Sequence, residues 1–188
     1  MSTRSGDLDP GLFAYLCRTG KMSADEFDRM ANEESGLLGV SGISSDVRDL
    51  LEREQRDPHA AEALDLYCYQ AKKCIGAYAA ALGGLDTLVF AGGVGENAPG
   101  IRERICAGLG FLGLVLDPGR NAASAGLVSA ATARVRVRVV RTDEELMIAR
   151  SVTRLLHSGD ERTDRADQVE QVDRLDRSEP DVQHPGPP

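Results

Sequence analysis

Residues 88–100 read LVFAGGVGENAPG: an apolar run stops at two glycines, then Gly95, an acid, an amide and a proline follow. Between a strand and a helix, Gly92-Gly93-Val94-Gly95 would aim free backbone N–H groups at a ligand. Glycine permits positive φ and lets a ligand approach the main chain closely. A helix N-terminus adds partial positive charge, which favours a phosphate or another polar oxygen. No Gly-Lys-Ser/Thr follows, so the stretch is not a P-loop. Gly93, Gly95 and Ala98 do satisfy the looser pattern G-x-G-x-x-A. Asp117 lies about twenty residues further on, at a strand end, where a dinucleotide-binding fold grips a ribose. An NAD(P)-binding oxidoreductase is therefore a competing reading. It is weakened by the long segment ahead of the pattern and by Glu96 and Pro99 inside it. A tight β–α turn with no ligand is the plain alternative.

The elements that would position this turn are legible around it. Ser23 and Glu26 in SADEF form a capping box that opens a helix. The longest helix is HAAEALDLYCYQAKKCIGAYAAALGG, where Leu64, Tyr67, Cys68, Ala71, Ile75, Tyr78 and Leu82 make one apolar face. Gly83 and Gly84 stop it. LDTLVF reads as a short buried strand, and APGIRERICAGLG as the helix after the glycine turn. FLGLVLD reads as another strand, with Asp117-Pro118-Gly119 as a turn. ARVRVRVV alternates strictly, as a strand with one wet face does. TDEELMIARSVTRLLH is a helix with a second capping box, Thr142 and Glu145. Helices alternating with strands indicate an α/β layered domain.

Bulk composition narrows the partners. The 188 residues are 41% apolar but only 4% aromatic, with no Trp, so aliphatic packing carries the core. A net charge of −8 and a pI near 4.9 argue against nucleic acid, whose phosphates demand clustered Lys and Arg. No window approaches the ~20 apolar residues that span a bilayer, so no membrane association is expected. MSTRSGDLDP has no apolar stretch of the signal-peptide kind. Cys17, Cys68, Cys74 and Cys106 lack CxxC pairing and sit in apolar patterns, so all four read as buried reduced thiols of a cytoplasmic protein. Residues 158–188 are dense in Asp, Glu and Arg and end in Pro and Gly, a composition that reads as a disordered acidic tail. The folded domain is then 1–157. His184 falls in that tail. His59 reads as a polar helix-start residue and His157 as a C-terminal helix cap.

Four stretches together resemble the acetate kinase (acetokinase) family. They are TRSGDLDP, ESGLLGVSGISSDVRDL, VFAGGVGENAPGIRERICAGLGFLG and RTDEELMIAR, and they occur in the family's order from the chain start to about residue 155. The resemblance implies the actin-like ATPase, ribonuclease H-like α/β fold of the acetate and sugar kinases, a mixed sheet flanked by helices. It also implies that this chain corresponds to the C-terminal domain only. Arg4 matches the family arginine that stabilises the transition state; by itself it would read as a surface arginine. Asp46, Val47 and Arg48 match an ATP-contacting triplet, though alone Asp46 and Arg48 read as a solvated helix start. Gly93, Val94, Gly95, Glu96 and Asn97 match the second nucleotide segment, with Asn97 bonding the adenosine or fixing the turn. Glu144 matches the glutamate assigned to Mg2+, and Glu145 reads as the capping acid; spacing alone does not choose between these neighbours.

The resemblance further implies a function: ATP + acetate = ADP + acetyl phosphate, with ATP/ADP and Mg2+ as cofactors. The family's acetate-contacting arginine, catalytic aspartate and transition-state histidine lie upstream of TRSGD, so activity is expected to need the other half. Propionate or butyrate in place of acetate stays open. Met1 falls where the family runs through Met-Gly-Thr-Arg, with Ser2 in place of the usual glycine. That suggests a chain cut inside a motif, by a split gene, a frameshift or a misplaced start codon. The expected partners are a second copy in a homodimer, or a chain supplying the N-terminal half. A non-catalytic remnant acting as a dimerisation module shares the fold and is the remaining alternative.

Overall fold

The computed structural model describes residues 2–156, so the acidic-tail, His157 and His184 expectations lie outside the described residues. These residues fall into two units, divided between Arg141 and Thr142.

The first unit begins with capped helices. Asp9 accepts from Gly11 N–H at 2.6 Å and Pro10 occupies the first turn of α1 (Pro10–Arg18). Ser23 and Glu26 form the expected reciprocal box at the start of α2 (Ala24–Glu33). Phe13 and Phe27 meet edge to face at 5.0 Å, joining the two helices. The helix α3 (Gly36–Ser41) ends at Gly42 with φ +69°. Asp46 caps α4 (Val47–Arg53). Asp57 caps the 25-residue α5 (Pro58–Leu82) by accepting from His59 and Ala60 N–H. His59 is the exposed helix-start residue expected, and Gly83 closes α5 with φ +74°.

The central helix buries Ala60, Ala63, Leu64 and Cys68 against Leu37 of α3, Val47 and Leu50 of α4, and Ile101 and Ile105 of α7 (Pro99–Cys106). Its expected apolar face runs out early. Tyr78 is 69% and Leu82 75% exposed, although Leu82 lies five helical turns from Leu64 and shares its phase. Periodicity shows which side of a helix is apolar and says nothing of where the covering layer stops.

The strand β1 (Thr87–Phe90) pairs in parallel with β2 (Arg136–Val139), Thr87 opposite Arg136 and Phe90 opposite Val139. Around β2 the alternation is as expected, with Val137 and the preceding Val135 buried and Arg136 and Arg138 exposed. The strand β1 is not the buried strand expected, because Thr87 and Val89 face solvent and only Leu88 and Phe90 turn inward. Leu88, Phe90 and Val139 pack on a second cluster of Cys106, Leu109, Leu114, Val128, Val135 and Val137. Isolated antiparallel bridges, Leu116 to Ser129 and Leu127 to Arg138, flank the pair, so the pairing is mixed.

Between the strands lie α6 (Gly92–Asn97), α7, a 3-10 turn (Gly110–Leu112) and α8 (Pro118–Ala122). FLGLVLD is therefore not the strand expected. Its first residues close the 3-10 turn at Gly113, φ +93°, and only Leu116 bridges another strand. Asp117 is the N-cap of α8 rather than a turn residue, its carboxylate accepting from Arg120 N–H at 2.9 Å. Cys68 and Cys106 are buried, but Cys17 is half-buried and Cys74 exposed, which corrects the reading of all four as core thiols. No helix of the described residues is long and apolar enough to cross a membrane.

In the second unit residues 144–156 are helical and exposed. Asp143 stands at the N-cap, its carboxylate accepting from Leu146 N–H at 2.8 Å, one residue after the Thr142 expected there.

Candidate functional site

The glycine stretch folds as a helix. Ala91 is extended, Gly92 takes φ +71°, and residues from Gly92 onward form the six-residue α6. The turn is thus concentrated at Gly92, while Gly93 and Gly95 are helical. Gly95 has its own structural reason, because a Cβ there would lie 3.2 Å from the Phe90 carbonyl carbon. Gly93 does not: a Cβ on it would meet nothing within 4 Å. Both ends of α6 are tied by side chains. Gly92 N–H donates to the Glu96 carboxylate at 3.0 Å, and Asn97 Nδ2 donates to the Gly93 carbonyl at 3.0 Å.

Across from α6, Asp46 holds the start of α4. Its Oδ1 accepts from Arg48 N–H at 2.8 Å, and its Oδ2 accepts from Arg48 Nη2 at 2.8 Å. The Arg48 side-chain bond, then its backbone N–H, hold the Asp46 carboxyl below the usual aspartate value. Ser44 Oγ accepts from Asp46 N–H at 3.1 Å and fixes the approach to the cap.

These two elements enclose a cavity of about 600 Å³. Asp46, Val47, Arg48 and Leu51 line one side, and Gly93, Val94, Asn97 and Ala98 the other. The sequence separation is over forty residues, and packing of α4 and α7 on α5 closes it. The lining is mainly apolar with an ion pair and an amide at its edge, the composition of a small-molecule site. Gly95 and Glu96 are not among the lining residues of this cavity. Gly95 lines a second cavity of about 280 Å³ behind α6, together with Tyr67 and Ala71.

Arg4 is exposed on an N-terminal segment held to the first unit by backbone bonds. Ser5 N–H donates to Ala31, and the Thr3 carbonyl accepts from Ser35 N–H. Asp7 pairs with Lys73 of α5 at 2.7 Å. Glu144 belongs to the second unit, where it is exposed in the first turn of the 144–156 helix.

Comparison with known proteins gives these positions a context. A family model, the Acetokinase family, matches residues 1–150. The chain belongs to the acetokinase family. It is 50% identical over 161 residues to an acetate kinase of Rhodopseudomonas palustris, covering 85% of this chain and 40% of that protein. A Treponema denticola acetate kinase is 45% identical over 159 residues, with 83% and 40% covered. The crystal structure of Porphyromonas gingivalis acetate kinase superposes with a TM-score of 0.76 at 43% identity, covering 83% of this chain and 40% of that one. A propionate kinase from Francisella tularensis superposes at 0.73 with 37% identity, covering 79% and 38%. The acetokinase-family chain here spans about 40% of the length of the curated relatives it matches. Its fold is that of the actin-like ATPase superfamily.

Membership leaves the oxidoreductase reading without support, and the geometry agrees. In this acetokinase-family chain Gly93 and Gly95 sit inside a helix rather than in a βα turn, and the Asp117 carboxylate is occupied as a cap. One residue of the site region escaped the sequence reading. Arg102 is 0% exposed, and its guanidinium binds carbonyls of α6 and groups of α8. A signal was present: Arg102 stands one helical turn before Cys106, which is buried.

Proposed function

We propose that this chain is the nucleotide-holding part of an ATP:acetate phosphotransferase, catalysing ATP + acetate = ADP + acetyl phosphate with the remainder of an acetokinase-family protein. The observation that carries the proposal is the cavity shared by Asp46–Arg48 and Gly93–Asn97. In this reading Val47, Leu51, Val94 and Ala98 give the base an apolar slot. The Asp46–Arg48 pair offers an acceptor and a donor at its rim, and Gly93 lets adenosine lie on bare main chain. Arg4, whose guanidinium makes no hydrogen bond or ion pair among the described residues, is available for the charge spread over a phosphoryl group in transit. Glu144 offers an exposed, hard carboxylate of the kind Mg2+ prefers, and the ion, when bound, neutralises phosphate charge.

The carboxylate acceptor needs no strong base, so positioning and charge neutralisation are the work to be done. Association is part of the proposal, with a second copy or with a chain supplying the remainder. The bare apolar end of α5 at Tyr78 and Leu82 supports it. Four free thiols and an ATP-dependent reaction suit the cytoplasm. The test is acetyl hydroxamate formation from acetate and ATP, with propionate in parallel. Residues 1–188 alone should form negligible product, and activity should appear when the unmatched part of the Rhodopseudomonas acetate kinase is added. Robust turnover by the isolated chain would overturn the need for a second part. ADP binding without rescue by any complement would favour the non-catalytic module.

A further inference from the structure

The helix α6 carries the cavity wall, and its internal side-chain bonds, Gly92 N–H to Glu96 and Asn97 Nδ2 to the Gly93 carbonyl, leave its last carbonyls unfastened. Six residues are too few for a helix to persist unaided, and three of them are glycines, each about 1 kcal/mol poorer than Ala. Its rear is in close contact with β1 at Gly95, against Phe90, but Gly93 and Val94 line both the front cavity and the 280 Å³ cavity behind. The two ends of α6 are held differently. Glu96 ties the first turn through Gly92 N–H. The last carbonyls have no intrahelical partner, as at any helix end, and there Arg102 supplies one.

The Arg102 side chain uses all five of its N–H groups. Nη1 donates to the Gly95 carbonyl at 2.8 Å and the Glu96 carbonyl at 3.1 Å. Nε donates to Asn121 Oδ1 at 2.8 Å, and Nη2 to the Asn121 carbonyl at 2.7 Å and Ser124 Oγ at 3.0 Å. Asn121 in turn donates from Nδ2 to the Pro99 carbonyl at 2.9 Å, so the network also grips the start of α7. Ser124 sits at φ +47°, an unfavourable region for a side-chain-bearing residue, and Arg102 is one of the groups holding it. A buried cation with no carboxylate within 4.0 Å among the described residues is costly. Here the negative end of α6 and five acceptors offset that cost.

We propose that Arg102 is a positioning residue: it clamps α6 against α8, fixes the wall formed by Gly93, Val94 and Asn97, and so sets nucleotide affinity without touching nucleotide. The affinity part rests on the nucleotide reading of the front cavity. Arg102→Lys keeps a charge but offers three donors on a flexible stem in place of a rigid five-donor fork. Leu114→Ala, in the second core cluster, is the matched control for lost stability. Both variants should melt earlier. Only Arg102→Lys should speed amide exchange across residues 93–98 and weaken ADP binding, by about tenfold for two lost charge-assisted bonds, at a temperature where all the proteins are folded. Ser124→Gly, which suits the left-handed backbone and removes one acceptor, should shift both readouts in the same direction by less. Wild-type exchange over 93–98 in both Arg102→Lys and Ser124→Gly, or wild-type ADP affinity in both, would overturn the proposal. If Arg102→Lys does not fold, Ser124→Gly alone decides it. Failure of the nucleotide reading shows separately, as a wild-type chain that takes up no ADP, and the exchange measurement still decides whether Arg102 holds the wall.

Discussion

Asp46 does two jobs that acid can separate from the rest of the molecule. Bonds from Arg48 depress its folded-state pKa below the ordinary aspartate value of about 3.9. A depressed carboxyl stabilises fully above the unfolded pKa and loses that contribution as pH falls through the lower folded value. Asp46→Asn should therefore melt earlier than wild type at neutral pH, with the gap narrowing as pH falls below ~4; a gap that does not narrow on acidification would contradict the assignment. Leu64, fully buried where α3, α4, α5 and α7 meet, tests the core. Leu64→Ala should cost about 2–5 kcal/mol in urea unfolding, and a loss near zero would contradict that packing. At this scale the sequence was legible where partners are close in the chain. The Ser23–Glu26 box and the Asp46–Arg48 helix start are local, and both formed as read. Arg102 is legible only as a position one turn before Cys106, because the acceptors that make its burial possible, Asn121 and Ser124, lie 19 and 22 residues further on, and local pattern does not show Cys74 to be exposed.

Helices and strands show the same limit. The β2 alternation and the extent of α5 follow from local pattern, and the glycine after α5 marks its end. FLGLVLD is ambiguous by pattern, because an apolar run suits either a strand or the packed link that Gly113 and the Asp117 cap make of it. The pattern of the glycine stretch suggests a turn throughout, yet only Gly92 takes positive φ. Gly95 is instead a close-packing site against β1. Gly95→Ala should lower stability by about 1–3 kcal/mol and weaken ADP binding, as α6 is pushed off Phe90. A variant with wild-type melting and wild-type ADP binding would show that α6 does not rest on β1 as described.

For the whole molecule, the family could be read from four short stretches because they recur in order, and the match over residues 1–150 now shows it. The cavity itself was not legible without that resemblance: Asp46–Arg48 and Gly93–Asn97 are brought together only when α4 and α7 pack on α5. Nucleotide holding by this chain depends on adenine nucleotide lying against the bare main chain at Gly93. Calorimetric titration of ADP into wild type and Gly93→Ala, with melting curves for both, asks this directly. A Cβ at Gly93 has open space in the structure, so the variant should melt no earlier than wild type. It should nevertheless bind ADP about tenfold or more weakly, because one added methyl fills the seat. Equal affinity in the two proteins, or no ADP binding by wild type, would contradict the placement of the nucleotide.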